Sequence, residues 1–181
     1  KYIDRVVELD RDGYTPKEEV FAGAARDFSL VDEAADALPR DFRDRFPEEC
    51  VAFAQLDSVL DHLAQSGYRL AVITNGSADI QQRKIDVLGI ASAFDYIAIS
   101  EVEGFKKPDP EIFHRTLERL DVAPGEAVHV GDNPRSDITG GKEAGLRTIW
   151  TRSRRWPAAP GADAVIEEIA QLPEAISRLP G

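Results

Sequence analysis

Val128-His129-Val130-Gly131-Asp132-Asn133-Pro134-Arg135-Ser136-Asp137 sets two carboxylates five positions apart, where an apolar strand gives way to a Gly-containing loop. Oxygen ligands at the carboxyl end of a strand suit a hard cation such as Mg²⁺, which keeps several waters and takes one or two protein carboxylates beside a substrate phosphate. Gly, Asp and Asn are also ordinary turn residues, so the same letters suit a solvated turn. Two upstream segments decide between these readings.

Arg69-Leu70-Ala71-Val72-Ile73-Thr74-Asn75-Gly76-Ser77 is a short apolar run between Gly67 and Gly76, which reads as a buried parallel strand ending in a polar turn. Thr74 then sits at the strand tip. Ile80, Ile85 and Leu88 give the following residues, Ala78 to Leu88, a helical apolar spacing that stops at Gly89. A hydroxyl, an Asn-Gly turn and a helix start whose first N–H groups are free form a cradle for an anion. An Asn-Gly turn capped by Ser77 is the plainer alternative.

Gly104-Phe105-Lys106-Lys107-Pro108-Asp109-Pro110 follows an apolar strand, Phe94 to Ile99, and precedes a helix from Glu111 to about Leu120. Pro108 restricts the residue before it to extended backbone, and Pro110 at the helix start wastes no amide donor. A loop this stiff aims its lysine. Alone it would be a solvated charge, but beside the other two segments it supplies the cation that a transferring phosphoryl group needs.

Thr-Asn-Gly, Lys-Pro-Asp-Pro and Gly-Asp-Asn-x-x-x-Asp, each after a strand and in this order from about Leu56 to Thr151, resemble the haloacid dehalogenase superfamily, in its Mg²⁺-dependent phosphatase branch with a helical cap. The resemblance implies a doubly wound, Rossmann-like α/β core and an aspartyl-phosphate mechanism on a small phosphate monoester. It makes Thr74 and Lys107 catalytic, with Asn75 and Gly76 beside them in binding substrate. Asp132 becomes the direct Mg²⁺ ligand and Asp137 the second acidic residue, acting either through water or by orienting Lys107. A noncatalytic binding or regulatory relative and a metal-free haloacid dehalogenase are the alternative readings.

The family's nucleophile and general acid lie on an Asp-x-Asp motif after the first core strand, ahead of the cap. Asp10-Arg11-Asp12 has the letters but the wrong approach. A central parallel strand is a near-continuous apolar run, whereas residues 2–9 carry Asp4, Arg5 and Glu8. Their apolar residues at 2, 3, 6, 7 and 9 follow helical spacing, with Gly13 as the expected stop, and Tyr14 is bulky where the family has a small residue. Thr15-Pro16-Lys17-Glu18 reads as a fresh helix start with Thr15 as N-cap. The opening is therefore read as cap, and the first core strand, with its nucleophile, is expected to be missing from these residues.

Around this frame, residues 1–50 read as the cap, with helices Glu18 to Phe28, Val31 to Leu38 and Asp41 to Cys50. Residues 51–181 read as the core: a helix Leu56 to Gln65, strands near 69–74, 94–99, 127–131, 146–150 and 163–167, and a closing helix from Ile169 to Leu179. A net charge of −11 argues against nucleic acid, and no apolar run approaches the ~20 residues of a membrane span. A cytoplasmic enzyme acting on a small phosphorylated metabolite is expected. Cys50 is the single cysteine, which excludes an internal disulfide. His62, His114 and His129 are read as structural, His129 on one sheet face opposite Val128 and Val130. Arg152, Arg154 and Arg155 are read as a solvated loop. Specificity is expected from cap side chains such as Tyr14, Phe21, Arg26 or Phe42, each of which also suits plain packing.

Overall fold

A computed structural model describes residues 1–11, 15–30 and 32–180. They form two compact units, Lys1–Cys50 and Val51–Gly181.

The first unit is helical: α1 (Tyr2–Asp10), α2 (Lys17–Asp27), α3 (Asp32–Arg45) and a 3₁₀ turn at Phe46–Glu49. The spacing that argued against a first strand does form a helix, and Asp10 at its end pairs with Lys17. Asp12, Gly13 and Tyr14 lie outside the described residues. Three details differ from expectation. Arg11, in the left-handed conformation at φ 47°, ends α1 ahead of Gly13. Pro16, not Thr15, holds the N-cap position of α2: its extended ψ of 136° keeps it outside the helix, and no side chain caps the end. Residues expected as two helices run on as α3 through Pro39, which removes one amide without ending the helix. Ring packing holds that end, Phe42 lying 5.5 Å from Phe21 and stacked 4.4 Å from Phe46. Phe21 and Phe42 are thus packing residues of this unit.

The second unit alternates helix and strand: α4 (Leu56–Gln65), β1 (Ala71–Thr74), α5 (Ala78–Leu88), β2 (Tyr96–Ile99), α6 (Ser100–Glu103), α7 (Pro110–Leu120), β3 (Val128–Gly131), a π-helical turn (Pro134–Thr139), α8 (Gly140–Glu143), β4 (Arg147–Thr151), β5 (Ala164–Ile166) and α9 (Leu172–Ser177). Every pairing is parallel. One sheet has the order β1-β2 and the other β3-β4-β5, so it is an α/β, Rossmann-like fold. Among the described residues no strand pairing links the two sheets.

Helices cover both faces, as parallel strands require. On one face α4 and α9 bury Val59, Leu63 and Leu172 against Ile149 and Ile166, with Val128 and Val130. On the other, Ile112, Phe113 and Leu117 of α7 pack on Ala98, Ala144 and Leu146, with Ile73 alongside. Its strand side chains, Ile73 and Ala98, come from the first sheet, and Phe113 of α7 also meets His129 of β3 edge-on. Glycines admit the closest contacts: a Cβ on Gly141 would lie 2.9 Å from Thr148, and one on Gly140 would lie 2.8 Å from the Pro108 backbone. No described helix is long and apolar enough to cross a membrane.

Candidate active site

The functional side chains stand on turns at the carboxyl ends of β1, β2 and β3, where open α/β sheets bind ligands. Thr74 is the last residue of β1 and half-buried. The next residue, Asn75, bonds the loop after β2: its Nδ2 donates to the Lys107 carbonyl and its Oδ1 accepts from the Lys107 N–H, each at 2.8 Å. The Thr74 turn and the Lys107 loop are thereby one assembly.

Lys107 precedes Pro108 across a cis peptide bond and sends its Nζ to 2.7 Å from Asp137 Oδ1, the two side chains being 12% and 6% exposed. Burial favours an ammonium only with such a partner. Asp137 is delivered by the π-helical turn, which starts on an Asn133 cap accepting the N–H groups of Arg135 and Ser136 at 3.0 and 2.9 Å. Single π turns are frequent at functional sites because they re-aim one residue. The Asn133 N–H donates to Asp137 Oδ2 at 2.9 Å, and His129 Nε2 stands 3.3 Å from Oδ1. Burial alone would push the Asp137 carboxyl up, but the His129 hydrogen bond and the Lys107 charge outweigh it and hold Asp137 well below the usual carboxylate range. Burial also pushes His129 down from its ordinary value, and because an ionised carboxylate only accepts, the hydrogen shared with Asp137 lies on Nε2.

Asp132 differs from Asp137 in environment. It is exposed, and its carboxyl is pushed up, first by partial loss of hydration and then by the charge of Asp137. A cation at this spot relieves both. Asp137 is committed to Lys107, His129 and Asn133, so Asp132 is the carboxylate of this motif that faces solvent. The described residues contain no cluster of three or more His, Cys, Asp or Glu side chains able to hold a metal ion. A Mg²⁺ held by one carboxylate there would take its remaining ligands from water and substrate.

One sequence expectation about the cradle is narrowed. The first N–H of α5 is already used: the Ala78 N–H donates to Glu101 at 2.8 Å and the preceding Gly76 N–H to Ser100 Oγ at 3.0 Å, while Ser77 makes no capping bond with its side chain. A carboxylate from α6 already occupies that positive end.

Two contributors escaped the sequence reading. His129 lies edge-on to Phe113 at 5.0 Å, a core residue as expected, yet it also touches Asp137. Its placement on the face opposite Val128 and Val130 was the available signal. Trp150, 2% exposed, donates its Nε1 hydrogen to the Asp132 carbonyl at 2.7 Å and steadies the strand tip from β4. The arginine cluster is partly engaged, Arg152 pairing with Glu167 at 2.7 Å.

Gly131 marks the tightest point. A Cβ there would lie 2.3 Å from Asp137 Cγ. Gly131→Ala should therefore drive Asp137 off Lys107 and destabilise the unit by about 1–3 kcal/mol, read as a lower Tm. An unchanged Tm would show that Asp137 yields at no cost.

The comparisons with known proteins agree with this geometry. Residues 15–151 match the family described as haloacid dehalogenase-like hydrolase. The phosphoserine phosphatase of Thermus thermophilus is 35% identical over 149 residues, 81% of this chain and 58% of that protein. The glyceraldehyde 3-phosphate phosphatase of Pyrococcus furiosus is 38% identical over 121 residues, 64% of this chain and 50% of that protein. The chain thus spans about half the length of these curated relatives. Among solved structures, the HAD hydrolase YfnB of Bacillus subtilis, bound to magnesium, superposes with a TM-score of 0.81 at 25% identity, covering 96% of this chain and 79% of that one. With three strand-end motifs in family order, an α/β core around them and a family match across most of its length, the chain belongs to the haloacid dehalogenase-like hydrolases.

Proposed function

We propose that the whole protein is a cytoplasmic Mg²⁺-dependent phosphatase of small phosphate monoesters. The observation that carries this reading is the buried Lys107–Asp137 pair at 2.7 Å beside an exposed, pKa-raised Asp132, the charge arrangement of a phosphoryl-transfer site. The names of the relatives point the same way.

Thr74 offers its hydroxyl to a phosphate oxygen. Lys107, fixed by Asp137 at one end and Asn75 at the other, neutralises charge on the phosphoryl group without having to reorganise. Asp137 stays ionised and holds the lysine. Asp132 would hold Mg²⁺, which when bound supplies a Lewis acid for the phosphoryl oxygens. The nucleophile is the first Asp of the family's Asp-x-Asp motif, on the strand that fits between β1 and β3. Its oxygen attacks phosphorus as the ester P–O bond breaks, the leaving oxygen takes a proton from the motif's second Asp, and water, giving a proton back to that Asp, then splits the acyl phosphate and releases phosphate. Residues 1–50 act as the specificity-bearing cap.

The test is phosphate release from a panel of monoesters by the intact protein, with Mg²⁺ and after chelation. Release that stops on chelation and returns with Mg²⁺ is expected. Release indifferent to chelation, or halide release from 2-haloacids with no phosphate release, would remove this reading.

A further inference from the structure

We propose that Asn75 is a positioning residue for Lys107 and not a substrate ligand. The proposal rests on the phosphatase reading of the site and assigns Asn75 a different task from its neighbour Thr74. Both polar ends of the Asn75 side chain are turned to one backbone unit, donating to the Lys107 carbonyl and accepting from the Lys107 N–H at 2.8 Å each. The side-chain amide thus takes the part of a neighbouring strand, pairing with residue 107 where no strand reaches it.

The consequence lies in the lysine stem. A Lys side chain has four flexible carbons, so a charge becomes preorganised only if its Cα is held and its tip has a fixed partner. Asp137 fixes the tip at 2.7 Å. Pro108 contributes no N–H after it, so the hydrogen bonds that fix the lysine's own peptide groups come from Asn75. Asn75 is anchored in turn. Gln81 Nε2 donates to the Asn75 carbonyl at 2.7 Å, and Gly76, at φ +138°, makes the turn beneath, where a Cβ would lie 2.6 Å from the same Gln81 nitrogen. The sequence of supports runs from α5 through Gln81 and Asn75 to Lys107, and from there to the turn after β3. A group so engaged acts on phosphate through the lysine.

A double-mutant cycle on the intact protein separates the two roles. Asn75→Ala should lower kcat by about 10- to 100-fold, the worth of two neutral hydrogen bonds, with KM for the phosphate ester little changed. In the Lys107→Ala background the same substitution should cost nothing more. A direct contact with substrate would instead give the full loss in both backgrounds and a raised KM, and that result overturns the proposal, as does wild-type kcat in Asn75→Ala. Amide exchange supplies a readout independent of turnover: the Lys107 N–H should exchange at least about tenfold faster in Asn75→Ala relative to the amides of β3 and β4, since its hydrogen bond is gone. If the wild type hydrolyses no phosphate ester, the phosphatase reading fails while the exchange result still decides the clamp. Should Asn75→Ala not fold, Gln81→Ala carries the same cycle one step further from the lysine. A smaller kcat loss that vanishes in the Lys107→Ala background supports the clamp, and a loss that persists there defeats it.

Discussion

Asp132→Ala should reduce Mg²⁺-dependent hydrolysis to background while leaving the fold intact. Removing a metal ligand forfeits several kcal/mol of transition-state stabilisation, at least about 10³-fold in rate. The fold should hold because Asp132 is exposed, and its loss relieves repulsion with Asp137 instead of leaving a buried partner unpaired. Its backbone carbonyl, not its side chain, accepts from Trp150 and survives the substitution. Circular dichroism and Tm check the fold, and Mg²⁺ titration of turnover checks the site. Undiminished activity with Mg²⁺ still required would refute the assignment.

Lys107→Ala should cost on the order of 3 kcal/mol in turnover, more than 100-fold, and Lys106→Ala little. The two lysines are adjacent in sequence but not in environment: Lys106 is exposed, whereas the Lys107 side chain is 12% exposed against Asp137. Lys107→Ala also strands a buried carboxylate, so part of any loss could come from instability. Lys107→Met combined with Asp137→Asn addresses this, since it replaces the ion pair by neutral groups. That double variant should recover stability without recovering activity. Equal effects of the two lysine substitutions would defeat the prediction.

Features written in local pattern were readable from the chain. The five short runs became β1 to β5, most plainly β1 and β2, whose Ala-Val-Ile-Thr and Tyr-Ile-Ala-Ile are nearly all apolar as covered parallel strands are. Helix α5 was bounded by Ser77 and Gly89, and Gly89 does take the left-handed cap. The three motifs could be named because Thr74 ends β1 and Asp132 follows β3 directly, while Lys107 is marked by the Pro108-Asp109-Pro110 run beside it. Side-chain bonds to distant backbone left no such trace. Asn75 meets Lys107 across 32 residues, and Glu101 reaches the start of α5 across 23. Neither partner can be read from spacing, because which loops become neighbours depends on strand order. The contact of His129 with Asp137 depends on a π turn that sequence periodicity does not announce. In the first unit, Thr15 looked like a cap because composition marks where a helix could start, while the ψ of Pro16 decided where it does.

The Lys107–Asp137 pair has a further consequence, because its members belong to different sheets. Lys107 follows β2 in one sheet and Asp137 follows β3 in the other. The pair therefore works as an alignment gauge: sliding one sheet past the other lengthens this contact directly. A misplacement of about 1 Å at a reacting centre can cost on the order of 10²-fold in rate, whereas the same shift removes little apolar area from the core. Mutational drift that shifts the halves is thus felt as lost turnover while the protein still folds, and selection for activity becomes selection for the mutual register of the two sheets.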